Sequence, residues 1–416
     1  MKTNLIQVEN IPTNVKKNSI LEITSRNVSY YTHSFFKYPC KFIPHIPNWA
    51  IEKYTNINDT VLDCFAGSGT TLVESVLMGR NALGVDFDKL SQLLCITKTK
   101  HLKKNEIEYI KRNVKNLFNN SIESSIKLPD IHNIDHWFSQ SNIRYLSILK
   151  YNIDREKNNS VRNFLLVTFA SIIKKVSNAD EQSPKPYVSS KYKKKEYSVK
   201  ELFIKSVLNY LKVFELNDYK NLGTAKIISE DARDINNSQY ENKVDLAVTS
   251  PPYINAFDYV RSLRLENVWL DFYGDEFITE IKKKQIGTES ISSTEYKKAL
   301  SKMGIQKLDK ILNIIYKIDK KRAHVVFKYF MDMQENMRSV RKLLKSDAHY
   351  IIVVGDSIIR KIEVPTHEIL IEIAEDNGYE LENMFAYIIK NRYLRIPRSN
   401  RGGFIKYDWI IDLKKI

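Results

Sequence analysis

The side chains best suited to chemistry lie in the short segment Ser250-Pro251-Pro252-Tyr253, which follows the largely apolar residues 244–249. Proline cannot donate to a strand ladder, so a strand over 244–249 must release the chain at Ser250 or Pro251. The loop then presents the Ser250 hydroxyl, a carbonyl held by the prolines and an aromatic face. Two hydrogen-bond acceptors beside an aromatic ring are suited to binding a planar ring that carries an amino group. A proline-rich loop with a packed tyrosine is the alternative interpretation.

A second candidate site lies in residues 60–71, whose sequence TVLDCFAGSGTT predicts a strand, a glycine turn and the start of a helix. Gly67 and Gly69 allow the backbone to turn tightly and to approach a ligand at a helix N-terminus. The third glycine of a dinucleotide fingerprint and the GxxxxGK[ST] sequence are both missing, which disfavours nicotinamide binding and P-loop chemistry. The next predicted strand closes on Asp86, close to the spacing at which such an acid binds ribose hydroxyls. A helix N-cap is the alternative role of Asp86.

These two segments require a sheet that brings the ends of their strands together. In open parallel sheets, ligands bind outside the carboxyl ends of the strands, so we expect both segments at that edge. The strand pattern resumes at residues 225–234 and 349–356, and residues 380–390 and 409–413 suit a terminal antiparallel pair. The predicted fold class is α/β: a Rossmann-like, doubly wound, mostly parallel sheet with a C-terminal antiparallel strand and a largely helical insertion.

The overall charge favours a polyanionic partner. Lys and Arg number 65 against 49 Asp and Glu, a net charge of +16, which is typical of nucleic-acid-binding proteins, although solvated surface lysine gives the same balance. Lysines interleaved with tyrosines near residue 193 suit phosphate contacts and base stacking, with a solvated loop as the alternative. The candidate nucleic-acid contacts are Lys191, Lys193, Lys194, Lys195, Arg395 and Arg398.

Cysteine and histidine usage gives no metal signature. Cys40, Cys64 and Cys95 show no CxxC spacing, and the histidines form no HExxH pair, which argues against zinc and for a reducing compartment. Neither a signal-peptide core nor an apolar stretch of membrane-spanning length is present in the sequence. We therefore expect a cytoplasmic protein with no metal and no membrane partner.

Taken together, the two motifs resemble those of the S-adenosylmethionine-dependent DNA amino-methyltransferases. Residues 63–71, DCFAGSGTT, match the family's cofactor loop, and Ser250-Pro251-Pro252-Tyr253 matches its catalytic tetrapeptide. Residues 33–47 resemble the family's N-terminal element, which closes over the methionine part of the cofactor. With Thr249 included, the tetrapeptide is most similar to that of the enzymes that make N4-methylcytosine.

The resemblance implies S-adenosylmethionine as cofactor and assigns roles to particular residues. Asp86 would bind the ribose, and Asp231 with Ala232 the adenine. Ser250 and the Pro251 carbonyl would hold the target amine while Tyr253 stacks on a base that has been flipped out of the duplex. The implied cofactor residues are Phe42, Asp63, Phe65, Gly67, Ser68, Gly69, Thr70, Asp86, Asp231 and Ala232, and the implied catalytic residues are Ser250, Pro251, Pro252 and Tyr253.

The implied function is site-specific transfer of a methyl group to the N4 amine of cytosine in double-stranded DNA, in a restriction-modification or related defence system. Serine in place of aspartate at residue 250 favours cytosine. The cofactor loop precedes the catalytic tetrapeptide, whereas many N4-cytosine enzymes have the reverse order. The alternatives are adenine-N6 methylation of DNA, then methylation of RNA bases, then a non-catalytic DNA-binding protein on the same scaffold. A cognate restriction endonuclease on a separate chain is a further candidate partner.

The same comparison divides the chain into three parts. Residues 1–119 form the first part of the catalytic domain, with the N-terminal element and the cofactor loop. Residues 120–224 form a helical insertion, the larger candidate for target recognition. Residues 225–416 complete the catalytic domain with the catalytic loop, and they carry a smaller insertion near 272–325.

Overall fold

The computed structural model describes residues 5–25, 27–119, 127–191, 194–216, 221–254, 257–389 and 406–416. The strands are β1 (Leu5–Val8), β2 (Ile20–Ile23), β3 (Thr60–Asp63), β4 (Asn81–Val85), β5 (Ala225–Ser229), β6 (Val244–Thr249), β7 (Leu344–Val354), β8 (Ser357–Ile359), β9 (Ile362–Val364), β10 (Tyr379–Ile388) and β11 (Tyr407–Lys415). The helices are α1 (His45–Tyr54), α2 (Thr70–Leu77), α3 (Lys89–Lys98), α4 (Lys104–Asn113), α5 (Ile134–Trp137), α6 (Gln140–Asp154), α7 (Asn159–Val176), α8 (Val199–Leu216), α9 (Tyr259–Ser262), α10 (Arg264–Trp269), α11 (Ile278–Lys284), α12 (Ser293–Tyr296), α13 (Gln306–Ile318), α14 (Lys320–Leu343) and α15 (Thr366–Glu375).

Within these residues a single large sheet has the strand order β1-β2-β10-β11-β7-β6-β3-β4-β5. Strands β7, β6, β3, β4 and β5 are parallel neighbours, so their carboxyl ends share one edge. Strand β11 runs antiparallel to both β7 and β10. The predicted fold class is therefore confirmed, including the terminal antiparallel pair.

The connections place a switch point in the middle of the sheet. From β3 the chain proceeds outwards to β4 and β5, and it then returns to the opposite side of β3 to form β6 and β7. The central strands are apolar on both faces; in β6 every position except Asp245 is buried. A crevice forms at such a point because the connections leave the edge in opposite directions, between β3 and β6.

The helices of the large insertion pack on the catalytic part of the chain. Phe164 and Phe169 of α7 share one hydrophobic core with Leu94 of α3 and Trp269 of α10. Helix α7 begins where the Asn158 side chain accepts hydrogen bonds from the backbone of Ser160 and Val161. The shared core holds the insertion against α3, the helix that follows Asp86. Among the described residues, no helix is both long enough and apolar enough to cross a membrane.

Candidate active site

A cavity of about 380 Å³ opens at the carboxyl edge of the sheet, where the ends of β3, β4, β5 and β6 meet. Its volume lies within the range of about 300–1,000 Å³ that is typical of small-molecule sites. The predicted site residues that line it are Phe42, Phe65, Gly67, Ser68, Thr70, Asp86, Asp231, Ala232, Ser250 and Pro252. Asp63, Gly69, Pro251 and Tyr253 are described residues outside this lining.

The glycine loop has the conformation that its residues predict. Gly67 and Gly69 have φ of +49° and +76°, in the left-handed region. A Cβ atom on Gly69 would come within 3.2 Å of the Cys95 backbone, and one on Gly67 within 3.4 Å of the Tyr38 ring. The left-handed φ would strain a side chain at either position, and Gly67 lines the cavity beside the start of α2.

Asp86 connects this loop to the end of β4. Its Oδ2 accepts a hydrogen bond of 2.7 Å from the Gly67 amide, and its Oδ1 accepts one of 2.9 Å from the Asp88 amide. Burial raises the pKa of Asp86 to about 7, although the two amide donors stabilise the ionised carboxylate and act in the opposite direction. The N-cap of α3 is Asp88, which accepts from the Ser91 amide, so the alternative role considered for Asp86 belongs to its neighbour.

The loop after β5 is held by α14. Asn336 donates to the Ala232 carbonyl at 2.8 Å, and Ser339 accepts from the Ile235 amide at 2.7 Å. The Asp231 carboxylate pairs with Arg233 at 2.7 Å. Burial by itself would raise the pKa of Asp231. The hydrogen bonds from Arg233 and the positive charge of that residue outweigh this effect, so the pKa of Asp231 lies below its usual value. The position of Asp231 and Ala232 thus depends on a helix some hundred residues further along the chain.

Glu74 joins the N-terminal element to α2, the helix after the glycine loop, and was not among the predicted site residues. This buried residue of α2 accepts from Tyr30 Oη at 2.5 Å and from Asn48 Nδ2 at 3.1 Å, and it lies 2.7 Å from His33 Nε2. Burial lowers the pKa of His33 to about 4, so its imidazole is neutral at pH 7. The indication of this role in the sequence was a single acidic residue within the apolar segment TTLVESVL.

The predicted catalytic loop has no regular secondary structure between Pro251 and Tyr253. Tyr253 Oη donates to Asp408 Oδ1 at 2.5 Å. On the backbone side, a Cβ atom on Gly287 would come within 2.9 Å of the Tyr253 carbonyl oxygen. The loop is therefore in contact with a strand near the C-terminus and with the smaller insertion.

Residues of the smaller insertion complete the cavity wall. Lys284, Gln285 and Ile286 line it, and Gln285 Nε2 donates to the Phe257 carbonyl at 2.9 Å. Lys282 pairs with Asp258 at 2.8 Å. No site residue was predicted here, although residues 282–287 lie in the predicted smaller insertion.

Comparison with known proteins agrees with this arrangement. A DNA methylase family model, that of the N6/N4 methyltransferases, matches residues 3–94, which include the glycine loop and Asp86. Type II methyltransferase M.MvaI from Kocuria varians is 24% identical over 406 residues, covering 92% of this chain and 89% of the relative. By these matches the chain is similar to the N6/N4 DNA methylases over nearly its whole length.

Two more matches are partial in coverage or in structural agreement. Type II methyltransferase M.BsoBI from Geobacillus stearothermophilus is 24% identical over 289 residues, covering 62% of this chain and 56% of the relative. A solved SAM-dependent methyltransferase from Methanosarcina mazei aligns at 11% identity with a TM-score of 0.33, covering 88% of this chain and 96% of that one.

The methyl donor of the chain is S-adenosylmethionine, as the sequence predicted. The residues present fit that group. The open backbone at Gly67 and the acidic side chains of Asp86 and Asp231 line one continuous cavity with Ser250. Acids at this edge offer acceptors for hydroxyl and amino groups.

The predicted DNA contacts are distributed unevenly. Lys191 and Lys195 are exposed, whereas the Lys194 ammonium donates to the carbonyls of Lys174 and Ala179 within the insertion. Lys193, Arg395 and Arg398 lie outside the described residues. None of the described residues between 127 and 216 lines the cavity.

Proposed function

We propose that the methylase transfers a methyl group to the N4 amine of a flipped cytosine in double-stranded DNA, as part of a restriction-modification system. The observation that carries this proposal is that Ser250, of the Thr-Ser-Pro-Pro-Tyr sequence, lines the same cavity as Asp86 and the glycine loop. An acceptor for the target amine is thereby adjacent to the proposed cofactor site. Two relatives named type II methyltransferases support the restriction-modification context.

The proposed roles follow from the chemistry of each group. Bound S-adenosylmethionine supplies an electrophilic methyl group. Asp86 accepts hydrogen bonds from the ribose hydroxyls, and the loop at Asp231 and Ala232 meets the adenine. Phe42, on the N-terminal element, lines the same cavity. The other predicted cofactor residues form the glycine loop or, like Asp63, directly precede it.

The catalytic loop acts on the amine. The lone pair of an exocyclic amine is delocalised into its ring, which makes it a weak nucleophile. Acceptance of the two N–H bonds by the Ser250 hydroxyl and the Pro251 carbonyl favours a tetrahedral nitrogen whose lone pair points away from them. Formation of the N–C bond would break the methyl–sulfur bond of the donor and release S-adenosylhomocysteine, and the positively charged nitrogen would lose one proton to solvent. Tyr253 stacks on the base and keeps it out of the duplex.

Product analysis tests this proposal. The purified protein is incubated with S-adenosylmethionine and mixed-sequence plasmid DNA, and the DNA is digested to nucleosides for mass spectrometry. We expect N4-methyldeoxycytidine, and none with Ser250→Ala, whose cofactor affinity stays within about threefold of wild type. N6-methyldeoxyadenosine would favour the adenine alternative, and methylation of RNA alone would favour the RNA alternative. The absence of any methylated product would leave the non-catalytic DNA-binding alternative.

We also propose a division of labour between the two insertions. Residues 120–224 are the candidate target-recognition region, and the smaller insertion contacts the DNA beside the flipped base. Lys283 and Lys284 support this assignment because both are exposed at the end of α11 and Lys284 also lines the cavity. Each phosphate contact contributes about 0.9 to the slope of log affinity against log salt.

The salt slope distinguishes the two surfaces. We expect Lys283→Ala with Lys284→Ala to reduce the slope by about 1 to 2 and to slow methylation. The matched pair Lys191→Ala with Lys195→Ala, which removes two exposed lysines from the larger insertion, tests the other surface. An unchanged slope in the first pair would contradict the role given to the smaller insertion.

A further inference from the structure

The phenol of the catalytic tyrosine is bound to a buried carboxylate. Tyr253 Oη donates to Asp408 Oδ1 at 2.5 Å, and Tyr387 Oη donates to Asp408 Oδ2 at 2.8 Å. Asp408 lies on β11 and Tyr387 lies opposite it on β10. One carboxylate thus receives one hydroxyl from the catalytic loop and one from the neighbouring strand.

This carboxylate occupies an environment that disfavours its charge. Asp408 is 6% exposed, and burial raises its pKa, while the two tyrosine hydroxyls stabilise the ionised form. Hydrogen bonds to a buried charge are stronger and more directional than those between neutral groups. The direction of the Tyr253 phenol is therefore set strongly by Asp408.

The catalytic loop requires a contact of this kind to hold the Tyr253 side chain in one orientation. Pro251 to Tyr253 form neither helix nor strand, so no backbone ladder fixes the orientation of the Tyr253 ring. Asp408, in contrast, lies on a strand that is paired on both sides. At the other end of the residue, Gly287 packs against the Tyr253 carbonyl. The residue is held at both its backbone and its hydroxyl.

We propose that Asp408 is a positioning residue for methyl transfer: through the Tyr253 hydroxyl it holds in place the ring against which the flipped base stacks. This role rests on the proposed function. The competing interpretation is that Asp408 only satisfies two buried hydroxyls, as buried tyrosines generally require a partner. In that case the Tyr253 and Tyr387 hydroxyls are equivalent, and neither influences the base.

The test compares Tyr253→Phe, Asp408→Asn, their double variant and the control Tyr387→Phe. Tyr387→Phe removes the other hydroxyl from the same carboxylate without altering the catalytic loop. The readouts are the single-turnover methylation rate on a duplex that the wild type modifies, cofactor affinity by calorimetry, and fluorescence of 2-aminopurine at the target position. Thermal unfolding gives the stability of each variant.

We expect Tyr253→Phe and Asp408→Asn each to slow methylation about 10- to 100-fold, as for the loss of one hydrogen bond to a charged group. The double variant should be no slower than Asp408→Asn, and both single variants should alter the 2-aminopurine signal. Tyr387→Phe should slow methylation less than about threefold, and cofactor affinity should stay within about twofold. Losses that multiply in the double variant, or an equal loss in Tyr387→Phe, would overturn the proposal.

A second measurement separates this inference from the proposed function. Tyrosines carrying ¹³C at the ring Cζ give one resonance each, and the Tyr253 resonance is identified by its loss in Tyr253→Phe. We expect it to move in Asp408→Asn. A protein that methylates no DNA would contradict the proposed function alone, whereas an unmoved Tyr253 resonance would overturn the positioning role of Asp408 regardless of activity. If Asp408→Asn proves too unstable for kinetics, the methylation rates of Tyr253→Phe and Tyr387→Phe still show whether the two hydroxyls are equivalent.

Discussion

Thr249 Oγ1 donates a hydrogen bond of 2.6 Å to Asp63 Oδ1, across the switch point between β6 and β3. The same hydroxyl accepts from the Phe65 amide at 3.2 Å, and that amide also donates to Asp63 Oδ1 at 3.0 Å. Asp63 Oδ2 has no hydrogen-bond partner among the described residues. The last residue of β6 is thus joined to the beginning of the cofactor loop, and the residue after it is Ser250.

This connection predicts that Thr249→Val impairs both halves of the site. The substitution keeps the shape of the side chain but removes the hydroxyl, which leaves buried acceptor capacity on Asp63 at a cost of about 1–3 kcal/mol in the free energy of unfolding. We expect weaker cofactor binding together with slower methylation, measured by calorimetry and single-turnover kinetics. Thr249→Ser, which keeps the hydroxyl, should retain most of both. Normal cofactor affinity in Thr249→Val would show that the two loops are independent.

The contacts of Glu74 predict that it controls cofactor affinity from a distance. Glu74→Gln removes the negative charge that accepts hydrogen bonds from Tyr30 and Asn48. The N-terminal element that carries Phe42 should therefore be held less firmly over the cavity. We expect cofactor binding to weaken about tenfold, roughly one charge-assisted hydrogen bond. Glu52→Gln, on the exposed face of α1, is the matched control. The affinity of each variant for S-adenosylmethionine is measured by calorimetry, and equal affinities in the two variants would contradict the prediction.

Asp86 should make cofactor binding depend on pH. Its carboxyl has a pKa raised to about 7 by burial, and the ionised form is the better acceptor for ribose hydroxyls. Below pH 7, binding must first release a proton. We therefore expect affinity to rise about tenfold from pH 6 to pH 8, and Asp86→Asn to bind more weakly with a flatter profile. A wild-type profile identical in slope to that of Asp86→Asn would argue against Asp86 as the group responsible.

Glu266 should make the stability of the protein fall as pH rises. It is buried in the core shared by α7 and α10, its Oε2 has no partner among the described residues, and burial raises its pKa to about 7 from 4.5. The charge of Lys174 opposes this rise and that of Asp88 adds to it. Because the folded state binds the proton more tightly than the unfolded state, the stabilisation is complete below about pH 4.5 and is lost as pH rises through about 7.

The magnitude follows from linkage. A tenfold change in proton affinity corresponds to about 1.4 kcal/mol, so the loss is on the order of 3 kcal/mol. Urea unfolding at pH 5 and pH 8 should show that Glu266→Gln gains stability relative to wild type by a similar amount between the two pH values. Glu280→Gln, at an exposed position, should run parallel to wild type. A constant difference between Glu266→Gln and wild type would exclude Glu266 as the source.

The local features of the site could be predicted from the sequence because each depends on neighbouring residues. Gly67 and Gly69 are required where φ is positive, the prolines end β6, and Asp86 follows directly after an apolar strand. These requirements act over a few residues, so they are visible in the sequence before any folding is considered. A mostly parallel sheet could be expected from the same patterns, which indicate buried strands alternating with helices.

The roles of Glu74, Gln285 and Asp408 were decided only by the tertiary structure. Tyr253 and Asp408 are separated by 155 positions in the sequence, and their meeting depends on the register of β11 between β7 and β10. A shift of one residue in that register would point Asp408 to the other face of the sheet. The residue types and their spacing therefore indicated which chemistry to expect, whereas the pairing of distant strands determined which side chains hold Tyr253.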